Sequence, residues 1–307
     1  MKKRNLIIVI CLLILAACNP KTPGFIPNFK TIIPVIPSTE NLFFFKDLKE
    51  RTVLSKLYDN PIFIDSNKSV KWKPNFNEQM NMPTSFDGMI HTNIDTIMYF
   101  KNTLNVQCAC MILTNYQYQV TENLNGEKTI EIGDCHFCGV PLGIALFEFD
   151  PEKGWELYAF KKSLLSFGYF GKYKSSGEDN CTISLKKIGD SWTCLSLREG
   201  LGCAQGNIFG SEKLISIEQY FIGGFPCSTL KLVFSYDYHD EYSPQYEGDE
   251  NEKNKEISSI KFLKMKNDYY KIQLSQNKNG IHSKIYYSYS RDYENYIETN
   301  TNEEISK

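Results

Sequence analysis

Four times along this chain a run rich in alternating apolar and polar residues meets a short polar turn and then a second such run. This pattern restricts the fold more than any other feature. "VQCACMILTNYQYQV" and "KTIEIG" flank "NLNGE", where Asn125-Gly126 suits a two-residue turn needing positive φ at both positions. "IALFEF" and "WELYAF" flank "DPEKG", and "CTISLKKI" and "SWTCLSL" flank Gly189-Asp190. "YYKIQL" and "IHSKIYYSYS" flank "NKNG", with Ile272 and Leu274, then Ile285, Tyr287 and Tyr289, on one phase of a two-residue period. The pattern predicts a mainly β fold, antiparallel hairpins forming a sandwich or open barrel. A composition of 42% hydrophobic and 14% aromatic residues is that of a folded globule with a real core.

One N-terminal amphipathic helix is expected in "ENLFFFKDLKERTVLSKLYDNP". Leu42, Phe45, Leu48, Val53 and Leu57 recur there among charges, and Asp59-Asn60-Pro61 ends the run. The acidic tract from Tyr236 to Glu256 reads as a solvated loop, its Asp237 and Asp240 included. A calcium-loop pattern beginning at Asp249 and Asn251 is broken by Lys253. Glycines near Gly168, Gly171, Gly200, Gly202, Gly206, Gly210, Gly223 and Gly224 lack the strand and helix context of a phosphate cradle. They are read as bulges, turns and close approaches.

The chain begins with Lys2, Lys3 and Arg4, an apolar run from Leu6 to Ala17, and Cys18. The run is short for a bilayer span, which needs about 20 apolar residues. Its end, Leu15-Ala16-Ala17-Cys18, resembles the lipobox of bacterial lipoprotein precursors. That resemblance covers the signal only. It implies cleavage before Cys18, a thioether-linked diacylglycerol on Cys18, and acylation of the new amino terminus with a fatty acid such as palmitate. It also implies a cell-envelope location, and Asn19 in place of aspartate favours the outer membrane over the inner. Residues 18–41 follow as the lipidated cysteine and a tether punctuated by Pro20, Pro23, Pro27, Pro34 and Pro37. Two β-rich regions are expected after it, 42–150 with the helix and 151–300, within one globule or two. Loss of residues 1–17 removes three cations and no anions, taking the formal charge from −2 to −5. An acidic body without a basic stripe is no nucleic-acid binder.

Of ten cysteines, Cys11 leaves with the signal and Cys18 takes lipid. Eight remain: Cys108, Cys110, Cys135, Cys138, Cys181, Cys194, Cys203 and Cys227, an even count that reads as a disulfide framework in an exported chain. Nested pairs Cys110 with Cys135 and Cys108 with Cys138 suit a hairpin turning at Asn125-Gly126. Two sharper readings compete at "CHFC". Thiol–disulfide exchange at Cys135 and Cys138 lacks the helix N-terminus that lowers a thiol pKa. A zinc tetrahedron from Cys108, Cys110, Cys135 and Cys138 or His136 has an unusual spacing. Haem attachment fails because Gly139 stands where a histidine is needed. His91, His136, His239 and His282 form no H-E-x-x-H, and neither a G-x-S-x-G nor a Walker loop is present.

These readings converge on a lipoprotein whose β-rich, disulfide-held body is a non-enzymatic binding or envelope-interaction module. No catalytic residue, metal or cofactor is assigned. Its expected partners are the membrane, through the lipid anchor, and an envelope protein or small ligand; nucleic acid is not among them.

Overall fold

The computed structural model describes residues 44–64, 68–75, 88–116, 118–122, 128–132, 140–167, 181–190, 192–199, 202–204, 207–218, 221–222, 225–226, 229–242, 254–266 and 269–299. The signal, Cys18, the proline-rich tether and Leu42 lie outside them, as does the Asp249–Lys253 stretch. The elements run β1 (Phe44–Phe45), α1 (Glu50–Leu57), β2 (Ile62–Phe63), β3 (Ser69–Trp72), β4 (Ile90–Lys101), β5 (Gln107–Tyr116), β6 (Tyr118–Glu122) and β7 (Lys128–Ile132). There follow β8 (Val140–Asp150), β9 (Gly154–Phe167), β10 (Thr182–Lys187), β11 (Thr193–Arg198), β12 (Gly202–Ala204), β13 (Asn207–Ser216), β14 (Phe221–Ile222) and β15 (Phe225–Pro226). The last are β16 (Lys231–Tyr242), β17 (Asn254–Leu263), β18 (Lys271–Lys278), β19 (Ile281–Ser290) and β20 (Asn295–Thr299).

The mainly antiparallel β expectation holds. A first sheet has the order β1-β9-β8-β5-β4-β3-β2, and a second the order β10-β11-β13-β16-β17-β18-β19-β20 with β12 on β13. All four hairpins form: β6 with β7, β8 with β9, β10 with β11, and β18 with β19. The last turns through Asn279 (φ 50°) and Gly280 (φ 85°), the paired positive angles of a type I′ turn. At the β8–β9 turn the Asp150 carboxylate accepts the amides of Glu152 and Lys153.

Two expectations change. The helix covers only Glu50–Leu57, and Phe44–Phe45 upstream is a strand against Glu156 and Trp155. The aromatic bulk of Phe44 and Phe45 packs better on a pleated edge than in a first helical turn. The described ends of the acidic tract are strand: β16 runs through Asp237, Asp240 and Glu241 to Tyr242, and β17 starts at Asn254. Its charges alternate with core aromatics and find Lys255 across the ladder, so the strand tolerates them.

Three apolar layers result. β5 and β8 are buried on both faces. Their odd positions Ala109, Met111, Leu113, Ala145 and Phe147 meet Val53 and Leu54 of α1 together with Phe45 and Trp72. Their even positions Cys110, Ile112, Leu142, Ile144 and Leu146 meet Leu195, Leu197, Ile215 and Ile217 of the second sheet. The other face of the second sheet curls on itself as a half-barrel, around Leu214, Phe234, Ile272 and Tyr296. An isolated eight-residue helix is marginal in water; α1 exists because Val53, Leu54 and Leu57 are buried.

A polar relay crosses the first sheet. Trp72 Nε1 donates to Thr92 Oγ1 (2.7 Å), Thr92 Oγ1 to Asn115 Oδ1 (2.6 Å), and Asn115 Nδ2 to the carbonyls of Lys162 (2.7 Å) and Pro141 (3.0 Å). The β8–β9 register shifts here, with Leu142 opposite Leu165 but Ile144 opposite Lys161. The bulge lies over Gly143, where an added Cβ would stand 2.6 Å from the Lys162 carbonyl oxygen. Gly143→Ala should therefore cost about 1–3 kcal/mol of unfolding free energy by overpacking. Asn115→Ala should cost about as much by stranding a buried carbonyl; urea denaturation of both variants measures this.

Candidate functional site

Charged side chains reach the interior in two places. The first joins the sheets. Glu218, two residues past β13, is 2% exposed and accepts the backbone amides of Thr193 in the second sheet and Thr103 (3.1 Å) in the β4–β5 turn. That turn is set by Asn102, whose Oδ1 accepts the amides of Leu104 and Val106 while its Nδ2 donates to Glu148 (3.2 Å). Tyr158 of β9 donates to the Ile217 carbonyl at 2.6 Å, a second tie between the sheets. Burial pushes the Glu218 carboxyl up to about 7 against the pull of its two amide donors. Burial, then Glu156, raises Glu148 as well.

The second place is the inner face of the half-barrel. Glu212 of β13 is 1% exposed and receives Lys186 Nζ, Ser196 Oγ (2.6 Å) and Tyr236 Oη (2.9 Å). Burial pushes its carboxyl up, but the Lys186, Ser196 and Tyr236 bonds prevail and hold it below the usual range. Fully donated to, it is a fixed anion and no proton acceptor. Beside it Arg198 lies 4.1 Å over the Tyr238 ring, and Tyr238 Oη donates to the Glu199 carbonyl (2.6 Å). Glu199 in turn takes Lys213 (3.0 Å) and Ser211 Oγ (2.6 Å). Deeper in, Trp192, Tyr269 and Tyr289 stack at centroid distances of 4.6 and 3.8 Å.

Cys108, Cys110 and Cys194 are buried free thiols. Cys135 and Cys138, the expected partners of Cys110 and Cys108, lie outside the described residues. β5 is flanked by β4 and β8, with Cys108 opposite Phe100 and Glu148 and Cys110 opposite Met98 and Leu146. The Asn125-Gly126 hairpin is a separate two-stranded piece. Burial, then Glu148, pushes Cys108 up to about 12, and burial drives Cys110 and Cys194 higher. These are poor nucleophiles and poor metal ligands. Cys181 is half-buried against the inter-sheet core, and Cys203 lies in β12 opposite Ile208. Cys135, His136, Cys138 and Cys227 are outside the described residues, and among the described residues no group of three or more His, Cys, Asp and Glu could hold a metal ion.

The open site is on β17, β18 and β19. A groove of about 540 Å³ is lined by three consecutive ladder rows: Ile257–Asn277–His282, Ser258–Gln276–Ser283 and Ser259–Ser275–Lys284. Its polar groups are hydroxyls, carboxamides, an imidazole and an ammonium, a set suited to many weak hydrogen bonds. No family model, curated protein or solved structure matches the chain. The groove's chemistry is therefore argued from its own residues.

Of the residues singled out in the sequence, His282 lines the groove, His239 pairs with Glu241 (3.2 Å) and His91 is buried in β4. Glu212 and Glu218 gave almost no warning. Glu212 alone had a signal, since it sits on the same phase as Ile208, Gly210 and Leu214 of an otherwise apolar stripe.

A carboxyl raised from 4.5 to about 7 keeps a proton in the folded state that the unfolded chain has lost over that interval. Its contribution to stability should be fullest below pH 4.5, fall by up to about 3 kcal/mol as pH rises to 7, and level off above. Glu218→Gln should flatten this dependence; denaturant titrations of both proteins across that range measure it. Cys108, Cys110 and Cys194 should resist a thiol reagent in the native protein and react on unfolding, and tryptic mapping of the labelled sites checks this.

Proposed function

We propose that this protein is an exported, lipid-anchored binding module of the bacterial cell envelope, tethered through Cys18 and acting without chemical turnover. The observation that carries the binding half of this reading is the β17–β19 groove. Its two outer rows present Ser259, Ser275, Asn277, His282 and Lys284 from paired strands, which fixes their spacing at little entropic cost on binding. The interior carboxylates fit the same reading. Glu212 is held by three donors and Glu218 joins the sheets, so both serve the scaffold. The anchoring half is supported by Leu15-Ala16-Ala17-Cys18 and the proline-spaced stretch that follows. Two or more acyl chains make such an anchor firm, each buried methylene contributing about 0.8 kcal/mol.

Intact mass spectrometry of the protein from its native membrane should give a chain that begins at Cys18 and carries diacylglycerol and an amide-linked acyl group. Cys18→Ser should leave the signal attached and abolish incorporation of a labelled fatty acid. A mature chain with an unmodified Cys18 would overturn the anchor.

A further inference from the structure

The solvent face of β17–β20 carries a charge pattern at odds with the rest of the chain. Ile260, Phe262, Ile272 and Tyr287 turn into the half-barrel core, so the alternate positions face outward. Those positions include Lys261, Lys271 and Lys284, none of which has an ion-pair partner among the described residues. The outward phase of these four strands contains no Asp or Glu; Lys255, at its margin, is taken by Glu241 at 2.7 Å. A chain with formal charge −5 after signal removal thus keeps one face cationic. With strands about 4.8 Å apart and same-face residues about 6.8 Å apart, the three ammonium groups spring from Cα positions roughly 8 to 14 Å from one another. Between and beside them the register sets Gln273, Ser275, Asn277 and Tyr286.

We propose that this face binds an anionic polysaccharide, the lysines pairing with its carboxylate or phosphate groups and the amides and hydroxyls with its sugar hydroxyls. The inference rests on the binding-module reading and names its ligand class. Two observations select a glycan over a lipid surface. The lysines are separated by hydrogen-bonding side chains, which have partners on a sugar chain and none on acyl chains. The face also contains the 540 Å³ groove, a volume within the range of sites that enclose discrete ligand units. The lysines act here as point charges, which tolerate the varied phosphate and carboxylate geometry of a flexible polymer.

The test uses the full-length protein reconstituted through its anchor into phosphatidylcholine vesicles, with polygalacturonate, its fully methyl-esterified neutral form, and separate vesicles of phosphatidylglycerol in phosphatidylcholine as probes. The expected result is saturable binding to polygalacturonate that weakens about tenfold between roughly 0.05 M and 0.5 M salt, as screening shortens. Binding to the ester should be at least about tenfold weaker, because the attraction between opposite charges is gone. The triple variant Lys261→Gln/Lys271→Gln/Lys284→Gln should lose about tenfold or more in affinity. A charge-matched control, Lys73→Gln/Lys101→Gln/Lys153→Gln, should keep it, and near-identical melting of the two variants excludes unfolding. Equal binding to the acid and its ester, abolished by Asn277→Ala, would overturn the anionic ligand while keeping the binding module. Lysine-dependent binding to vesicles in preference to polygalacturonate would assign the face to the membrane and overturn the glycan. Absence of binding to every probe would overturn both the ligand class and the groove as a recognition site.

Discussion

β16 and β17 share only four residue pairs, His239–Ile257 through Tyr242–Asn254, and the half-barrel depends on that short join. Beyond it the two strands part: β16 continues against β13 and β17 against β18. Paired strands leave no interior to fill, whereas diverging ones enclose a wedge that must be packed without voids. Phe234, Tyr236, Tyr287 and Tyr296 fill it, with Phe234 edge-on to both Tyr287 (5.1 Å) and Tyr296 (5.8 Å). The far end is tied by the Tyr270 amide to the Ile188 carbonyl (2.7 Å) and by Tyr296 Oη to the Tyr270 carbonyl (3.0 Å). Tyrosine suits this role because its ring fills volume and its hydroxyl satisfies a buried carbonyl.

The two buried carboxylates show how position decides the sign of an electrostatic effect. Glu212 has an ammonium and two hydroxyls within reach, so ionisation is favoured despite burial. Glu218 has two backbone amides and, more weakly, the Lys187 charge and the Thr193 hydroxyl on its side, and burial wins. The first pins β10, β11, β13 and β16 in one register. A buried ion pair contributes little net stability but penalises every arrangement that breaks it. The second couples the two sheets to proton activity.

Much of the strand pattern was legible because turn chemistry is local. Asn279-Gly280 and Asp150 act within a few residues, and the alternation of Ile272, Leu274, Ile285 and Tyr287 states which face is buried. Three things were not legible. The ladder neighbours of Cys108 and Cys110 on β8, Glu148 and Leu146, come 40 and 36 residues later, beyond the reach of the nearby turn signal. The strand through Asp237 and Asp240 looked like a loop because composition, averaged over the acidic tract, hid its alternation with Tyr236 and Tyr238. The cationic face was invisible because Lys261, Lys271 and Lys284 lie on three strands, and only the register brings them together.

The bulge at Lys162 has a consequence for solubility. Among the described residues β9 is the outermost long strand of its sheet, covered only at Glu156 and Trp155 by the two-residue β1. Most of its length is thus a template on which a foreign extended chain could template itself into a growing fibril. The Asn115-pinned kink breaks its straight run. An incoming strand would have to match an irregular ladder. The hydrogen bonds that order the interior of the first sheet therefore also guard its rim against amyloid-like addition.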